Sequence, residues 1–307
     1  MTGLQKFAQL LVQGIARGSV YSLIALGYTM VYGVLRLINF AHGDVYMVGA
    51  FIAYFAITAW HLPFLPALLV SMAGCGLLGV VIERCAYRPL RNQPRLTALI
   101  TAIGVSLLLE YGGQLVFGAS PRKFPTDVLT GPSLRALNAV SDALKAHPGI
   151  SVSTAQLVIV ISSVLLMVAL RLFISRTKVG KATQAVAQDR ETASLMGIGV
   201  DNIIMLTFFI GSALAAAAGV LVALEEPQID PIMGLMPGVR AFVAAVVGGI
   251  GNIPGAMMGG LIMGVAEYLV VGYISSAYRD AIAFGLLIVV LLVRPTGLTG
   301  KGMVEKV

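Results

Sequence analysis

The sequence is a succession of apolar runs, each of about the 20 residues that a helix needs to cross a membrane. Only 11% of the residues are charged, whereas soluble domains carry about 25%. These few charges cannot cover the surface of a water-soluble chain of 307 residues. The sequence therefore predicts an all-α polytopic membrane protein with eight or nine transmembrane helices. The predicted spans are 8–32, 41–60, 64–83, 97–117, 152–172, 203–224, 240–257, 257–275 and 278–293.

The boundary near residue 257 is set by a cluster of helix-breaking residues. The stretch 241–266 has no charged residue, but its centre contains Gly248, Gly249, Gly251, Pro254 and Gly255. Irregular backbone within a membrane persists only where it is buried in protein or lines a cavity. We therefore expect either a tight turn between two helices or a break within one helix, and we favour the turn.

Two short segments of the sequence are similar to each other. The segment 39–43 precedes an apolar run that contains Gly49, and 251–255 precedes one that contains Gly259 and Gly260. Transporters built from two repeats place broken helices at matching points. The sequence is thus compatible with two related halves that have broken helices near 39–44 and 248–255. A chance match between two glycine-containing segments is the alternative.

The basic residues indicate how the chain is oriented. They are concentrated in 84–95, 171–190 and the tail from Arg294 to Lys306, and such segments lie on the cytoplasmic side. The long segment 118–150 and the acidic segment 225–238 are then external loops. Because the basic residues lie in short loops between apolar runs, the net charge of +7 does not indicate a nucleic-acid partner. We expect one transmembrane domain over 1–307 that contacts the lipid bilayer.

The loop 175–201 contains a short amphipathic segment. Its small apolar residues, chiefly Ala182, Ala185 and Ala193, share one face of a helix over 180–197, and Gly197 is placed to end it. Such a helix either lies on the membrane or packs against a partner protein. Small residues are poor membrane anchors, and Asp189 within this face would be costly in lipid. We therefore favour docking to a partner.

A few ionisable residues fall at membrane depth, where they are costly in lipid and usually face a bundle interior or a watery path. They are Arg17, Asp44, Glu110 and Glu267, with His42 nearby. They either pair with one another to hold the bundle together or serve transport. Asp44 and His42 are the better functional candidates, because they flank Gly43 at a predicted helix start. Free backbone N–H groups there would attract the carboxylate of a zwitterion.

The sequence contains no G-x-x-x-x-G-K-[ST] phosphate loop and no H-E-x-x-H zinc motif. We therefore expect no catalytic residues, no metal site and no cofactor in this chain, and any energy from ATP must come from another subunit.

Four motifs in order carry a resemblance to a known family. They are Leu37–Asp44, the loop Gly180–Gly197, the run Ala241–Ala256, and the tail Arg294–Leu298 with its closing residues 304–307. Together they resemble the LivH-type permeases of bacterial high-affinity branched-chain amino-acid ABC importers, over nearly the whole chain. The external loop 118–150 is the least characteristic part.

The resemblance implies a multi-pass protein of the bacterial inner membrane that moves leucine, isoleucine or valine delivered by a periplasmic binding protein. It also implies a second permease subunit and two ATP-binding subunits, which drive alternating access. The loop would couple to an ATPase through Gly180, Lys181, Ala182, Ala185, Asp189, Arg190, Ala193 and Gly197. Lys181 and Gln184 stand where many relatives have arginine, which puts the electrostatics of docking in doubt.

The resemblance does not identify the residues that contact the substrate. From the sequence we select Asn39, His42, Gly43, Asp44, Gly249, Asn252 and Glu267 as candidates for the substrate pathway. Three alternatives stay open: the same machine importing urea or short amides, an ion-coupled secondary transporter that uses Asp44 or Glu267, and an intramembrane enzyme based on His42 and Asp44.

Overall fold

A computed structural model describes residues 3–91, 93–131, 134–145 and 151–300. These residues form twelve α-helices: α1 Gly3–Leu35, α2 His42–Thr58, α3 Phe64–Ile82, α4 Arg95–Phe117, α5 Arg135–Lys145, α6 Thr154–Arg176, α7 Lys178–Gln188, α8 Arg190–Leu195, α9 Val200–Glu225, α10 Leu235–Gly248, α11 Ile253–Tyr273 and α12 Arg279–Val293. Short helical turns follow α3 (Glu83–Tyr87 and Arg88–Leu90), precede α5 (Thr126–Thr130) and precede α12 (Ser276–Tyr278). Two short strands, β1 Arg122–Lys123 and β2 Gln228–Ile229, pair antiparallel.

The prediction of an all-α membrane protein is confirmed, but the predicted number of spanning helices was too high. Within the described residues, seven helices are long and apolar enough to cross a membrane. The two predicted spans that fall short are α2 with 17 residues and α10 with 14 residues. At 1.5 Å per residue these helices are roughly 25 and 21 Å long, less than the about 30 Å of the hydrocarbon core. The apolar runs at 41–60 and 240–257 include non-helical backbone, which hydropathy does not distinguish from helix.

Non-helical segments adjoin both short helices. Between α1 and α2 the chain leaves the helix at Arg36 with a positive φ of 57° and returns to it at His42, so the break expected near 39–44 is present. Between α10 and α11 the chain turns at Gly249 and Gly251, whose φ values are 105° and 91°. Because these angles favour glycine, the glycine cluster forms a tight turn between two helices, as we expected.

The two breaks do not occupy matching places. Gly43 at the start of α2 packs against Gly234 and Gly238 at the start of α10, with a Cβ added at Gly43 lying 3.1 Å from the Gly238 Cα. The turn at 249–252 instead lies beside the end of α1, where Gly251 approaches Gly33. The segment that corresponds in position to the break before α2 is therefore the one before α10, rather than the glycine motif 251–255 that resembles it in sequence.

Contacts between distant loops define two ends of the helix bundle. The predicted external segments 118–150 and 225–238 are joined by the β1–β2 pairing, and we call this the outer end. Arg88, in the basic segment after α3, donates to Asp201 at the start of α9 over 2.6 Å, and we call this the inner end. These contacts between loops thus agree with the sides of the membrane that the distribution of basic residues predicts.

Helix α1 lies at the centre of the bundle. Every residue from 16 to 31 is buried. Gly18 lies so close to α11 that an added Cβ would be 2.9 Å from the Leu261 Cα. Small residues let helix backbones approach in this way within a membrane. Consequently α1 contacts α9, α10 and α11 along its length and connects the two ends of the molecule.

Candidate functional site

A cavity of about 310 Å³ lies where the short helices α2 and α10 begin, and its other lining residues come from α4, from Tyr28 of α1 and from Phe40. Its lining residues come from five parts of the chain. They are Tyr28, Phe40, Gly43, Asp44, Ile103, Ser106, Leu107, Glu110, Gly234, Leu235, Gly238, Val239 and Phe242. A volume of this size is within the range of pockets that bind small molecules.

Gly43 permits the close approach of α2 to α10 that shapes this cavity. A side chain at residue 43 would collide with the carbonyl group of Gly234. A side chain at Gly234 would collide with the carbonyl group of Gly43 in return. The two helix starts can therefore meet only because both positions are glycine.

Two carboxylic acids line the cavity. Asp44 is 2% exposed and Glu110 is 9% exposed, and the Ser106 hydroxyl donates to Asp44 over 2.5 Å. None of the residues that line this cavity is lysine or arginine. The Asp44 and Glu110 carboxyl groups also interact with each other, so a positively charged group bound beside them would offset the repulsion between two ionised carboxylates. Across the described ranges, no group of three or more His, Cys, Asp or Glu side chains is arranged to hold a metal ion.

The backbone N–H groups at the start of α2 are largely occupied. The His42 N–H donates to the Asn39 carbonyl over 3.2 Å, and those of Asp44 and Val45 donate to the Ala41 carbonyl over 3.1 and 3.0 Å. We expected free N–H groups here to hold a carboxylate. These hydrogen bonds leave little of that capacity, so the cavity is better suited to the ammonium end of a zwitterion.

Aromatic side chains form one wall of the cavity. The Tyr28 ring lies 4.6 Å from the His42 ring and 5.8 Å from the Phe242 ring, and Phe40 lies 6.4 Å from Phe242. His42 itself is behind this wall, because it is 1% exposed and is not a lining residue. Tyr28 therefore connects α1 to the cavity.

The structure places the other predicted pathway residues elsewhere. Asn39 accepts a hydrogen bond from the Tyr87 hydroxyl over 2.9 Å. Asn252 donates to the Thr299 carbonyl over 2.9 Å, and Gly249 packs against the same C-terminal segment. Of the seven candidates, the cavity brings together only Gly43 and Asp44.

Glu267 belongs to a network of ion pairs towards the outer end. It accepts from the Tyr21 hydroxyl over 2.7 Å and lies 3.0 Å from Arg279. Separately, Arg17 donates to Glu226 over 3.1 Å. For these residues the structure supports the alternative that membrane-depth charges pair with one another and hold the helices together.

The segment 180–197 forms two helices instead of the single helix that we predicted. Asp189 has extended backbone, with φ of −151°, and its side chain accepts from the N–H groups of Glu191 and Thr192 over 2.9 and 3.2 Å. Asp189 is thus the N-cap of α8, a role for which aspartate is favoured. The break could have been found from this capping preference, which the helical periodicity obscured. Gly197 has a φ of 80° and follows the end of α8, as expected.

The small-residue face of this segment is turned towards the rest of the chain. Gly180 is buried, Ala193 is 4% exposed, and Ala182 and Ala185 pack against the core. Lys181 is exposed. The face that we assigned to a partner is therefore used within the chain. The apolar residues that remain available are Leu195 and Met196, which are 87% and 78% exposed.

Arg190 connects α8 to the inner end of α1. Its Nε and Nη2 atoms donate to the Val34 carbonyl over 2.9 and 2.5 Å. A groove of about 620 Å³ beside it is lined in part by Arg36, Arg91 and Arg190. Partial burial, together with the nearby charges of Arg91 and Arg36, lowers the pKa of Arg190 from its usual value. The guanidinium is thus held in place despite like charges around it.

Comparison with known proteins shows a family that matches most of the chain. The family described as branched-chain amino acid transport system / permease component matches residues 10–291. The high-affinity branched-chain amino acid transport system permease protein BraD of Pseudomonas aeruginosa is 45% identical, over 100% of both chains. Its counterpart LivH of Escherichia coli is also 45% identical, over 98% of both chains.

A more distant relative is the permease protein LivM of the same Escherichia coli transport system. It is 26% identical, over 91% of this chain and 67% of its own length. Together with the match over most of the sequence, these similarities show that the chain belongs to the branched-chain amino-acid transport permease family.

Proposed function

We propose that this chain is the transmembrane permease subunit of an ATP-driven importer of leucine, isoleucine and valine in the bacterial inner membrane. The observation that carries the proposal is the full-length similarity to permeases named for high-affinity branched-chain amino acid transport. A periplasmic binding protein delivers the amino acid to the outer end, and the permease conducts it to the cytoplasm. Import of urea or short amides has no support among these relatives.

The cavity between α2 and α10 forms the membrane portion of the substrate pathway. It lies where both short helices begin, and transporters commonly place substrate sites at such broken helices. The carboxylates of Asp44 and Glu110 attract the ammonium group of the amino acid. The apolar side chains of Phe40, Val239 and Phe242 contact its branched side chain.

A second permease subunit completes this pathway. Ile103 and Leu107 on α4 line the cavity, yet they are 46% and 45% exposed. The α4 wall is therefore on the lateral exterior of the helix bundle, where a second helical subunit would enclose the cavity. The similarity to both LivH and LivM of one transport system supports a heterodimer of two related permeases.

Two ATP-binding subunits act at the inner end. The sequence has no phosphate loop of its own, so hydrolysis takes place in those subunits and this chain is not itself an enzyme. Leu195 and Met196 project from the end of α8 and are the apolar contacts for an ATP-binding subunit. The remaining residues that we assigned to coupling, such as Gly180 and Ala193, support this contact from within the chain.

The proposal is tested by measuring uptake of labelled leucine, isoleucine, valine and urea in cells that lack only this chain, with and without its restoration. The same cells are measured after ATP is depleted while the proton gradient is maintained. We expect uptake of the three amino acids to return with the chain and to disappear without ATP. Uptake that persists without ATP would indicate an ion-coupled transporter and refute the proposal. Restored uptake of urea alone would refute the assigned substrate.

A further inference from the structure

The inner end of α1 has backbone carbonyl groups that the helix itself cannot satisfy. The last four carbonyls of any α-helix lack a partner within the helix. In α1 the Tyr32 carbonyl accepts the Arg36 N–H over 2.7 Å, and the backbone then departs at Arg36 in a left-handed conformation. Val34 is 2% exposed, and it lies at the wall of the groove beside Arg190. The Val34 carbonyl requires a partner from another part of the chain.

Arg190 supplies that partner from α8. It donates two hydrogen bonds to the Val34 carbonyl, across 156 positions of sequence. A positive charge at this place also interacts favourably with the negative end of the α1 helix dipole. A guanidinium can donate through two nitrogens at once, and its geometry restricts the position of the group it binds.

Arg190 is itself fixed with respect to α7 and α8. It is the first residue of α8, directly after Asp189, whose side chain caps that helix. Helix α7 is in turn attached to α6, because Thr177 caps it through the Gly180 N–H over 2.9 Å. A displacement of α7 and α8 therefore moves the Arg190 side chain with them.

The opposite end of this connection is the cavity. Tyr28 lies six residues before Val34 in the same helix, which corresponds to a rise of about 9 Å. Its ring contacts His42 and Phe242, and it lines the cavity. Because the intervening turns of α1 are largely buried, the helix moves as one body between Val34 and Tyr28.

We infer that Arg190 is the positioning residue that transmits movement of α7 and α8 to the substrate cavity, through the Val34 carbonyl and helix α1. The inference rests on the proposed function, since it assigns the route by which ATP-binding subunits act on the pathway. Arg190 contacts neither ATP nor the amino acid in this role. It acts by holding α1 to the helices on which the ATP-binding subunits dock.

The test uses the complete transporter with its ATP-binding subunits and binding protein. Arg190→Gln removes the charge and the paired Nε and Nη2 donors, whereas Arg190→Lys keeps the charge on a single donor nitrogen. Arg171→Gln, which alters an exposed residue on the inner part of α6, serves as a matched control. For each variant we measure membrane abundance, ATP hydrolysis and uptake per ATP consumed.

A second readout reports the cavity directly. Cys85, the exposed native cysteine, is replaced by serine, while the buried Cys75 is retained. Leu107→Cys then introduces a thiol into the cavity wall. Its labelling rate with a maleimide is compared in the presence and absence of a non-hydrolysable ATP analogue. A variant that is only destabilised changes abundance, but it does not selectively abolish the response of this thiol to nucleotide.

We expect Arg190→Gln to lower uptake per ATP by about tenfold, as for the loss of a charge-assisted hydrogen bond. It should also abolish the effect of nucleotide on the labelling rate of the thiol introduced by Leu107→Cys. Arg190→Lys should recover uptake to within about threefold, because it retains the charge but not the fork geometry. A full nucleotide response and full uptake per ATP in Arg190→Gln would overturn the inference. If the unsubstituted transporter itself shows no ATP-dependent uptake, the proposed function fails instead.

Discussion

The exposed pair Leu195 and Met196 provides the sharpest test of where the ATP-binding subunits dock. Full burial of one such side chain at an interface stabilises the complex by about 1.5–3 kcal/mol. Since the two residues are 87% and 78% exposed in this chain, a partner that covers both gains roughly 3–5 kcal/mol. Replacing both by serine removes most of this gain. A loss of about 3 kcal/mol weakens the dissociation constant by roughly 100-fold.

The assay measures binding of purified ATP-binding subunits to the two permeases in lipid nanodiscs. The double variant Leu195→Ser/Met196→Ser is compared with Ile274→Ser, which alters a residue that is 68% exposed beyond α11 at the outer end. We expect the control to bind like the unsubstituted chain. Unchanged affinity in the double variant, at equal membrane abundance, would refute docking through these residues.

Three further variants separate the cavity from its supporting structure. Asp44→Asn keeps an acceptor for Ser106 but removes the charge, so uptake should fall by about 10-fold or more at unchanged abundance, as measured with labelled leucine. Gly180→Ala places a methyl group against the Phe173 carbonyl, and this overpacking should displace α7 at a cost of about 1–3 kcal/mol, detected as a loss of uptake per ATP. Asn252→Ala loses two hydrogen bonds to Thr299, so the free energy of unfolding should fall by about 1–2 kcal/mol, measured by thermal unfolding. Normal uptake in Asn252→Ala at low temperature would agree with a structural role, whereas abolished uptake would restore this residue to the pathway.

The sequence predicted the membrane class, the grouping of loops and the turn at 249–252, because these depend on local composition. Apolar runs and glycine clusters are properties of short segments. Whether a run is helical over its full length depends on its neighbours. Helix α2 starts at His42, where Gly43 packs against Gly234 and Gly238. Gly234 and Gly238 are far from Gly43 in the sequence, so a segment as short as one helix cannot contain all three residues.

The candidate site was less predictable for the same reason. Asp44 and Glu110 were both identifiable as charges at membrane depth, yet nothing local shows that they line one cavity while Glu267 belongs to an ion-pair network. The distinction lies in the partners, since Glu267 has Tyr21 and Arg279 within 3.0 Å. Arginine and tyrosine occur throughout the chain, so sequence alone does not assign these pairs.

The position of α1 explains how one helix can serve both ends of the transporter. At its inner end the Val34 carbonyl is held by Arg190, and nearer its outer end Arg17 pairs with Glu226 on a loop that follows α9. Between these two attachments the helix has close backbone contacts with α11, at Gly18 and neighbouring small residues. At the same interface the Ser22 hydroxyl donates to the Met257 carbonyl of α11 over 2.7 Å, so close packing and a hydrogen bond both hold α1 against α11. We therefore expect a displacement applied at Val34 to be carried along α1 together with the part of α11 that packs against it. Tyr28, which lies between the two attachments, moves with it against Phe242 and changes the wall of the cavity.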